Sequence, residues 1–90
     1  MNELKLKNYM EDCVQDMLPA VVRNMDICKC EKCCLDILAY ALNHLPPKYV
    51  ATRTGHLYTK LDAMHNQFDA DIVTALTTGA KIVGSNPRHD

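Results

Sequence analysis

The 90-residue sequence lacks the features that mark several large classes of protein. No apolar run approaches the roughly 20 residues that a membrane-spanning helix needs. The first residues are charged, and no apolar stretch follows them as a secretion signal would require. There is no Walker A loop, no Ser-His-Asp arrangement and no paired-carboxylate motif. We therefore expect a cytoplasmic protein that is not an enzyme and does not contact a membrane.

Neither sign of charge dominates, since 10 basic and 11 acidic residues leave a net charge of −1. A general nucleic-acid binder is normally strongly basic, so we expect no direct binding to nucleic acid. The charge is unevenly spread, however. No acidic residue lies between Asp36 and Asp62, whereas Lys48, Arg53 and Lys60 all do. This acid-free stretch favours a compact anionic ligand over a long duplex, although chance in a short chain produces similar patterns.

The length predicts a single domain over residues 1–90. Hydrophobic residues make up 48% of the chain, which excludes a disordered protein. A chain this short buries only about 60% of its unfolded surface. Chains of this size usually gain stability from a metal, from disulfides or from a partner subunit.

Helical periodicity predicts two helices in the first half of the chain. The first covers Leu4 to Leu18, with a kink or a restart at Pro19, because proline cannot continue a helix without the loss of a hydrogen bond. The second covers Glu31 to Asn43 and is apolar nearly all round. Pro46 ends it. The segment Lys48 to Gly55 is expected to be extended or looped.

A third and longer helix is predicted from Leu57 onward, where helical periodicity resumes. Thr54 can cap its start, and Gly84 and Pro87 stop it. About 27 residues give a rod near 40 Å long, more than a 90-residue monomer comfortably covers. We therefore expect an all-α fold with one long C-terminal helix that packs against a second subunit in a homodimer. The apolar positions of this helix are Leu57, Leu61, Met64, Phe68, Ile72, Leu76, Ala80 and Val83.

The most specific motif is a cysteine cluster just before the second helix. Thiols stay reduced in the cytosol, so clustered cysteines there are typical of a metal site. Zinc takes four ligands, and close thiolates supply them with little loss of chain entropy. The prediction is one structural zinc, and a thioredoxin-like redox role would need a βαβ context that is absent. The alternative is a set of reduced cysteines at a helix start. The candidate ligands are Cys28, Cys30, Cys33 and Cys34, with Cys13, Asp36 or a histidine as other fourth ligands.

The acid-free stretch could hold a phosphorylated ligand. A phosphate fits the N-terminus of the long helix, where backbone N–H groups, Thr54 and Arg53 could contact it. Tyr49 or Tyr58 could stack on a base. The alternative is that both tyrosines are core residues and the charges belong to a solvated loop.

Three blocks of the sequence resemble the late competence protein ComFB family. They are Cys28-x-Cys30-x-x-Cys33, Asp36-Ile37-x-Ala39-x-Ala41-Leu42-Asn43-x-Leu45-Pro46-Pro47-x-Tyr49-Val50 and Val83-x-x-Asn86-Pro87-Arg88-His89. The resemblance implies an all-helical, dimer-forming domain with zinc on the cysteines. It also implies a signalling role as a receptor for cyclic dinucleotides such as c-di-GMP and c-di-AMP.

The resulting prediction is a zinc-binding homodimer that binds a cyclic dinucleotide near the acid-free stretch and changes the surface offered to a partner protein. The alternative is a structural or adaptor protein of the competence system that binds another protein through its helices without a small ligand. The nucleotide-contact residues are chosen on their chemistry and not carried over from the family. They are Tyr49, Thr52, Arg53, Tyr58, Lys60 and Arg88.

Overall fold

The computed structural model describes the backbone of residues 4–87 and the side chains of residues 4–51 and 70–87. Residues 4–87 form three helices and a two-stranded antiparallel sheet, so the all-α prediction is wrong. In chain order the elements are β1 (Leu4–Asn8), α1 (Tyr9–Val22), α2 (Glu31–Asn43), β2 (Tyr49–Arg53) and α3 (Thr54–Ser85).

The two strands form a ribbon that sequence periodicity alone did not predict. Leu4 and Leu6 alternate with Lys5 and Lys7, which is the period-two pattern of a strand. The helical periodicity of α1 also fits Leu6, so the predicted helix was extended too far upstream. The expected extended segment after α2 supplies the partner strand, with Leu6 opposite Ala51.

Asn8 joins the ribbon to α1. Its side-chain oxygen accepts hydrogen bonds from the backbone N–H groups of Met10, at 3.1 Å, and Lys48, at 2.8 Å. The first bond caps α1, because it satisfies a donor that has no partner within the helix. The N–H of Tyr9 also donates to the Lys48 carbonyl at 2.8 Å. The start of α1 is therefore fixed against the start of β2.

Helix α1 continues through Pro19 to Val22, so of the two predicted alternatives, a kink or a restart, the restart does not occur. Its buried face includes Met10, Val14 and Leu18. This face packs with α2 and α3 around one apolar core, so the fold holds together through helix packing and not through the small sheet.

Helix α2 has the predicted bounds, and it packs closely against the C-terminal half of α3. Ile37 and Ala41 on α2 are fully buried, as are Ile72 and Leu76 on α3. The two helices approach each other closely at the buried Gly79. A Cβ atom there would lie 2.9 Å from Tyr40 Cδ1 and 3.3 Å from the Ile37 carbonyl oxygen.

Helix α3 is longer than predicted. It begins at Thr54, directly after β2, and includes Gly84 before ending at Ser85. Its 32 residues span about 48 Å at 1.5 Å per residue, and the long axis of the molecule is 46 Å. No helix in the described part of the chain combines the length and apolarity that a bilayer span requires.

Candidate functional site

The cysteine cluster is built on the N-terminus of α2. Cys30 is the residue before the helix and has an extended backbone, with φ −70° and ψ 168°. Its sulfur accepts a hydrogen bond from the Cys33 N–H at 3.5 Å, and its carbonyl accepts one from the Cys34 N–H at 2.9 Å. A cysteine therefore takes the capping role that serine or aspartate usually has.

Three of the four predicted zinc ligands come together. The sulfur atoms of Cys28, Cys30 and Cys33 all lie within 4.8 Å of one another. Zinc–sulfur bonds of 2.3 Å in a tetrahedron would place the sulfurs about 3.8 Å apart, so each needs to move by less than about 1 Å. Three thiols this close are a donor set suited to a soft or borderline metal ion. The residues present therefore fit a zinc ion.

Two of the three thiols, Cys30 and Cys33, differ in how readily they lose a proton. The backbone N–H of Cys33 and the thiol of Cys28 hydrogen-bond to Cys30 and lower the pKa of its thiol. Burial raises the pKa of Cys33 to about 12, and hydrogen bonds to Cys28 and Cys30 act in the same direction. Since a metal binds thiolates, its binding must release the Cys33 proton. Of these two thiols, Cys30 loses its proton more readily than Cys33.

Cys34 does not join this set. Its thiol donates to the Lys29 carbonyl at a sulfur–oxygen distance of 3.5 Å. Asp36 forms an ion pair with Lys32 at 3.0 Å, and Cys13 is buried in the helical core. The structure therefore brings three sulfurs together and leaves Cys34, Cys13 and Asp36 outside the cluster.

The loop that carries Cys28 is held against the C-terminal end of α3. Ile27 packs on the core, and a Cβ atom at Gly84 would lie 2.5 Å from Ile27 Cγ2. Lys29 adds a bond from its amine to the Met25 carbonyl at 2.7 Å. Sequence reasoning treated Gly84 only as a helix stop. The missing side chain of Gly84 leaves space for Ile27, which lies 57 positions earlier in the chain. No local sequence pattern reveals a contact of that kind.

The family model described as late competence development protein ComFB matches residues 7–87. The chain belongs to the ComFB family. Competence protein ComFB of Bacillus subtilis (strain 168) is 28% identical over 83 residues, which cover 91% of this chain and 85% of that relative.

A solved structure agrees with this assignment. The late competence protein ComFB from Bacillus subtilis superposes with a TM-score of 0.78 at 28% sequence identity. The match covers 93% of this chain and 96% of that one. The mixed fold described above is thus close to that of a solved ComFB structure over nearly the whole chain.

The predicted nucleotide-contact residues fall on β2 and on the start of α3. Tyr49 is 62% exposed on β2, so it is not a core residue. Thr52 and Arg53 follow on the same strand, and Tyr58 and Lys60 belong to the first two turns of α3. The side chains of these four lie outside the described part of the structure, as does the whole of Arg88.

One face of the ribbon carries uncovered apolar side chains in the described part of the chain. Directly paired residues of antiparallel strands share a face. Leu6 therefore lies beside Ala51, and Asn8 beside Tyr49. Leu4 and Leu6 are 69% and 74% exposed. We call Leu4, Leu6, Tyr49 and Ala51 the ribbon face.

Proposed function

We propose that this ComFB-family protein is a non-enzymatic receptor for a cyclic dinucleotide, works as a homodimer and carries one structural zinc per chain. The observation that carries the nucleotide proposal is the course of the chain from Tyr49 into α3. An exposed tyrosine stands on a strand that leads without a loop into the N-terminus of a 32-residue helix.

The chemistry of this junction suits a phosphodiester. Unpaired N–H groups and the helix dipole make a helix N-terminus favourable for an anion. The first turn of α3 contains no acidic residue that would repel one. Arg53 and Lys60 belong to the same stretch and bring positive charge. An exposed tyrosine ring offers a stacking surface to a base.

A homodimer suits both the ligand and the protein. A cyclic dinucleotide of two identical nucleotides has twofold symmetry, as does a dimer with an isologous interface. The ribbon face leaves two leucines exposed in a single chain, and a second subunit would cover apolar surface of this kind.

Zinc would have a structural role in this proposal. Cys28, Cys30 and Cys33 would hold the ion, which would tie the loop before α2 to the first turn of that helix. Because Ile27 packs against Gly84, the same loop also touches the end of α3. A bound ion would therefore stabilise the contact between the two helices.

Isothermal titration of the dimer with c-di-GMP and c-di-AMP tests the nucleotide proposal. We expect saturable binding of at least one, and much weaker binding when Arg53→Ala and Lys60→Ala are combined. The matched control is Arg23→Ala with Lys81→Ala, which removes the same two charges from exposed positions elsewhere. If the Arg53→Ala and Lys60→Ala double variant binds as tightly as the wild type and the control, the pocket lies away from the acid-free stretch.

A second candidate function is an adaptor that binds another protein, and the α2–α3 groove favours it. This groove of about 310 Å³ is lined by Asp36, Tyr40, Ile82, Val83 and Asn86. Ile82 is 50% exposed, and Leu35 on α2 is 54% exposed. If neither nucleotide binds and Ile82→Asp abolishes the capture of a competence protein from its own host, the adaptor function is the better proposal.

A further inference from the structure

Cys30 and Cys33 are an exposed and a buried thiol that lie side by side at the start of α2. Cys30 is exposed, whereas Cys33 is 1% exposed. Their sulfur atoms lie within 4.8 Å of each other, and the Cys33 N–H donates to the Cys30 sulfur at 3.5 Å. This bond holds the exposed sulfur over the turn that carries the buried one. An accessible thiol beside a second thiol that can resolve its oxidised form is typical of redox-sensing cysteines.

Cys33 is the best-placed partner for Cys30 among the nearby cysteines. Residues three apart on a helix have Cβ atoms about 5–6 Å apart, and a disulfide needs about 3.5–4.5 Å. Cys30 precedes the helix, so a small movement of its extended backbone can close the difference. A bridge from Cys28 to Cys30 would span a single residue, which leaves little freedom to reach disulfide geometry. The Cys34 thiol bonds elsewhere, to the Lys29 carbonyl.

We propose that Cys30 and Cys33 are an oxidation site, at which a hydroperoxide converts the two thiols to a disulfide. With hydrogen peroxide, the Cys30 sulfur attacks one oxygen, so an S–O bond forms, the O–O bond breaks and one water leaves. The Cys33 sulfur then attacks the Cys30 sulfur, so an S–S bond forms and the S–O bond breaks with loss of a second water. The two thiols together lose two electrons and two protons, and the peroxide is reduced to water.

Oxidation and metal binding compete for the same sulfurs, and this part of the inference rests on the proposed metal centre. Zinc binds thiolates, so a disulfide between Cys30 and Cys33 removes two of the three converging ligands. Formation of the disulfide should therefore release the ion and free the loop before α2. The pair acts on the chain that carries it and is not a thioredoxin-like catalyst, since residues 4–87 contain no βαβ unit.

Mass spectrometry of a tryptic digest identifies the disulfide. Trypsin cleaves after Lys29 and Lys32, so it places Cys28, Cys30 and Cys33 on three different peptides. The full chain is reduced, stripped of metal with a chelator, treated with hydrogen peroxide, alkylated and digested. We expect a loss of about 2 Da in the intact chain and a link between the peptides of Cys30 and Cys33.

Two variants fix the assignment. Cys34→Ser removes the cysteine that shares a tryptic peptide with Cys33, and it should leave the link unchanged. Cys30→Ser should abolish the mass loss, and it keeps a capping oxygen at the start of α2 because serine is a common N-cap residue. A link from Cys28, loss of the link in Cys34→Ser, or an unchanged mass loss in Cys30→Ser would overturn the inference.

The release of zinc separates this inference from the proposed function. When peroxide is added to the zinc-loaded wild type, a colour-forming chelator should detect about one ion released per disulfide formed. A disulfide that forms while the ion stays bound would disprove the competition. Bound zinc without a disulfide, in either the loaded or the stripped protein, would reject the oxidation site and leave the metal centre intact. A disulfide in a protein that never holds zinc would reject the metal centre and support the oxidation site.

Discussion

The helical core and the ribbon use similar apolar side chains in opposite ways. Val14, Ile37, Ile72 and Leu76 of the helices are completely buried, whereas two leucines of β1 lie mostly in water. Burial of apolar surface stabilises the helices by roughly 1.5–3 kcal/mol per large side chain. The ribbon gains little from burial and depends on backbone pairing and on Asn8. The helical core therefore stabilises the fold, whereas the ribbon leaves apolar side chains available for contact.

The largest expected effect is a truncation in the core. Ile37→Ala should lower the free energy of unfolding by about 2–5 kcal/mol, because it leaves a cavity between α2 and α3. Leu6→Ala, the matched truncation on the ribbon face, should change it by under about 0.5 kcal/mol. Urea denaturation of both variants at low protein concentration measures the difference. An equally large loss for Leu6→Ala would show that the ribbon face is covered, as in a tight dimer.

The proposed metal centre should give the next largest effect. Cys30→Ser should lower the zinc content and the melting temperature together, because metal binding and folding are coupled. Cys34→Ser is the matched control and should change neither. Metal analysis and thermal denaturation of the untagged protein check both variants. Loss of zinc without any loss of thermal stability would show that the ion is not structural.

A smaller effect is expected at the close approach of α2 and α3. Gly79→Ala places a Cβ atom 2.9 Å from Tyr40 Cδ1, so the ring and α2 must shift. Overpacking costs about 1–3 kcal/mol, and the better helix propensity of alanine offsets about 0.5–1 kcal/mol of that. We expect a net loss near 1 kcal/mol in urea denaturation. Thr78→Ala, at an exposed neighbouring position, should not lower the free energy of unfolding. An equal loss in the two variants would show that the effect of Gly79→Ala does not come from its contact with Tyr40.

The smallest expected effect is a pH dependence at the junction between the two regions. Burial, with a contribution from Cys13, raises the pKa of Tyr9 above its usual value of 10.0. Above pH 10 the unfolded chain therefore releases this proton more readily than the folded chain, and stability falls as the pH rises. Urea denaturation between pH 8 and pH 11 should show a steeper fall for the wild type than for Tyr9→Phe. Identical slopes would mean that Tyr9 keeps an ordinary pKa.

The helices were largely predictable from the sequence, and α2 is the clearest example. Its apolar residues recur at helical spacing, and Pro46 and Pro47 prevent its continuation, so both bounds followed from local information. The ribbon did not follow, because a five-residue strand is recognisable only with its partner. That partner lies beyond two intervening helices, and Leu6 satisfied the helical pattern equally well.

The convergence of three cysteines was predictable from the sequence, but the exclusion of Cys34 and the support of the loop by α3 were not. The spacing of Cys28, Cys30 and Cys33 was sufficient to predict that they converge, because a loop followed by one helical turn brings them together. The exclusion of Cys34 depends on the helix beginning at Glu31, which sets the direction of each side chain. The contact of Ile27 with Gly84 depends on tertiary packing alone.

The pairing of β1 with β2 also has a consequence for the order in which the chain folds. Leu4 and Arg53 meet across 49 positions, and α1, the cysteine loop and α2 all lie within the closed segment. Closing so long a segment is entropically unfavourable until the helices have shortened it. The strands should therefore pair late and open first, so their amide hydrogens should exchange with solvent well before those of α2. The junction of β2 and α3 lies at Arg53, which pairs with Leu4. A ligand bound there would therefore slow the opening of the strands.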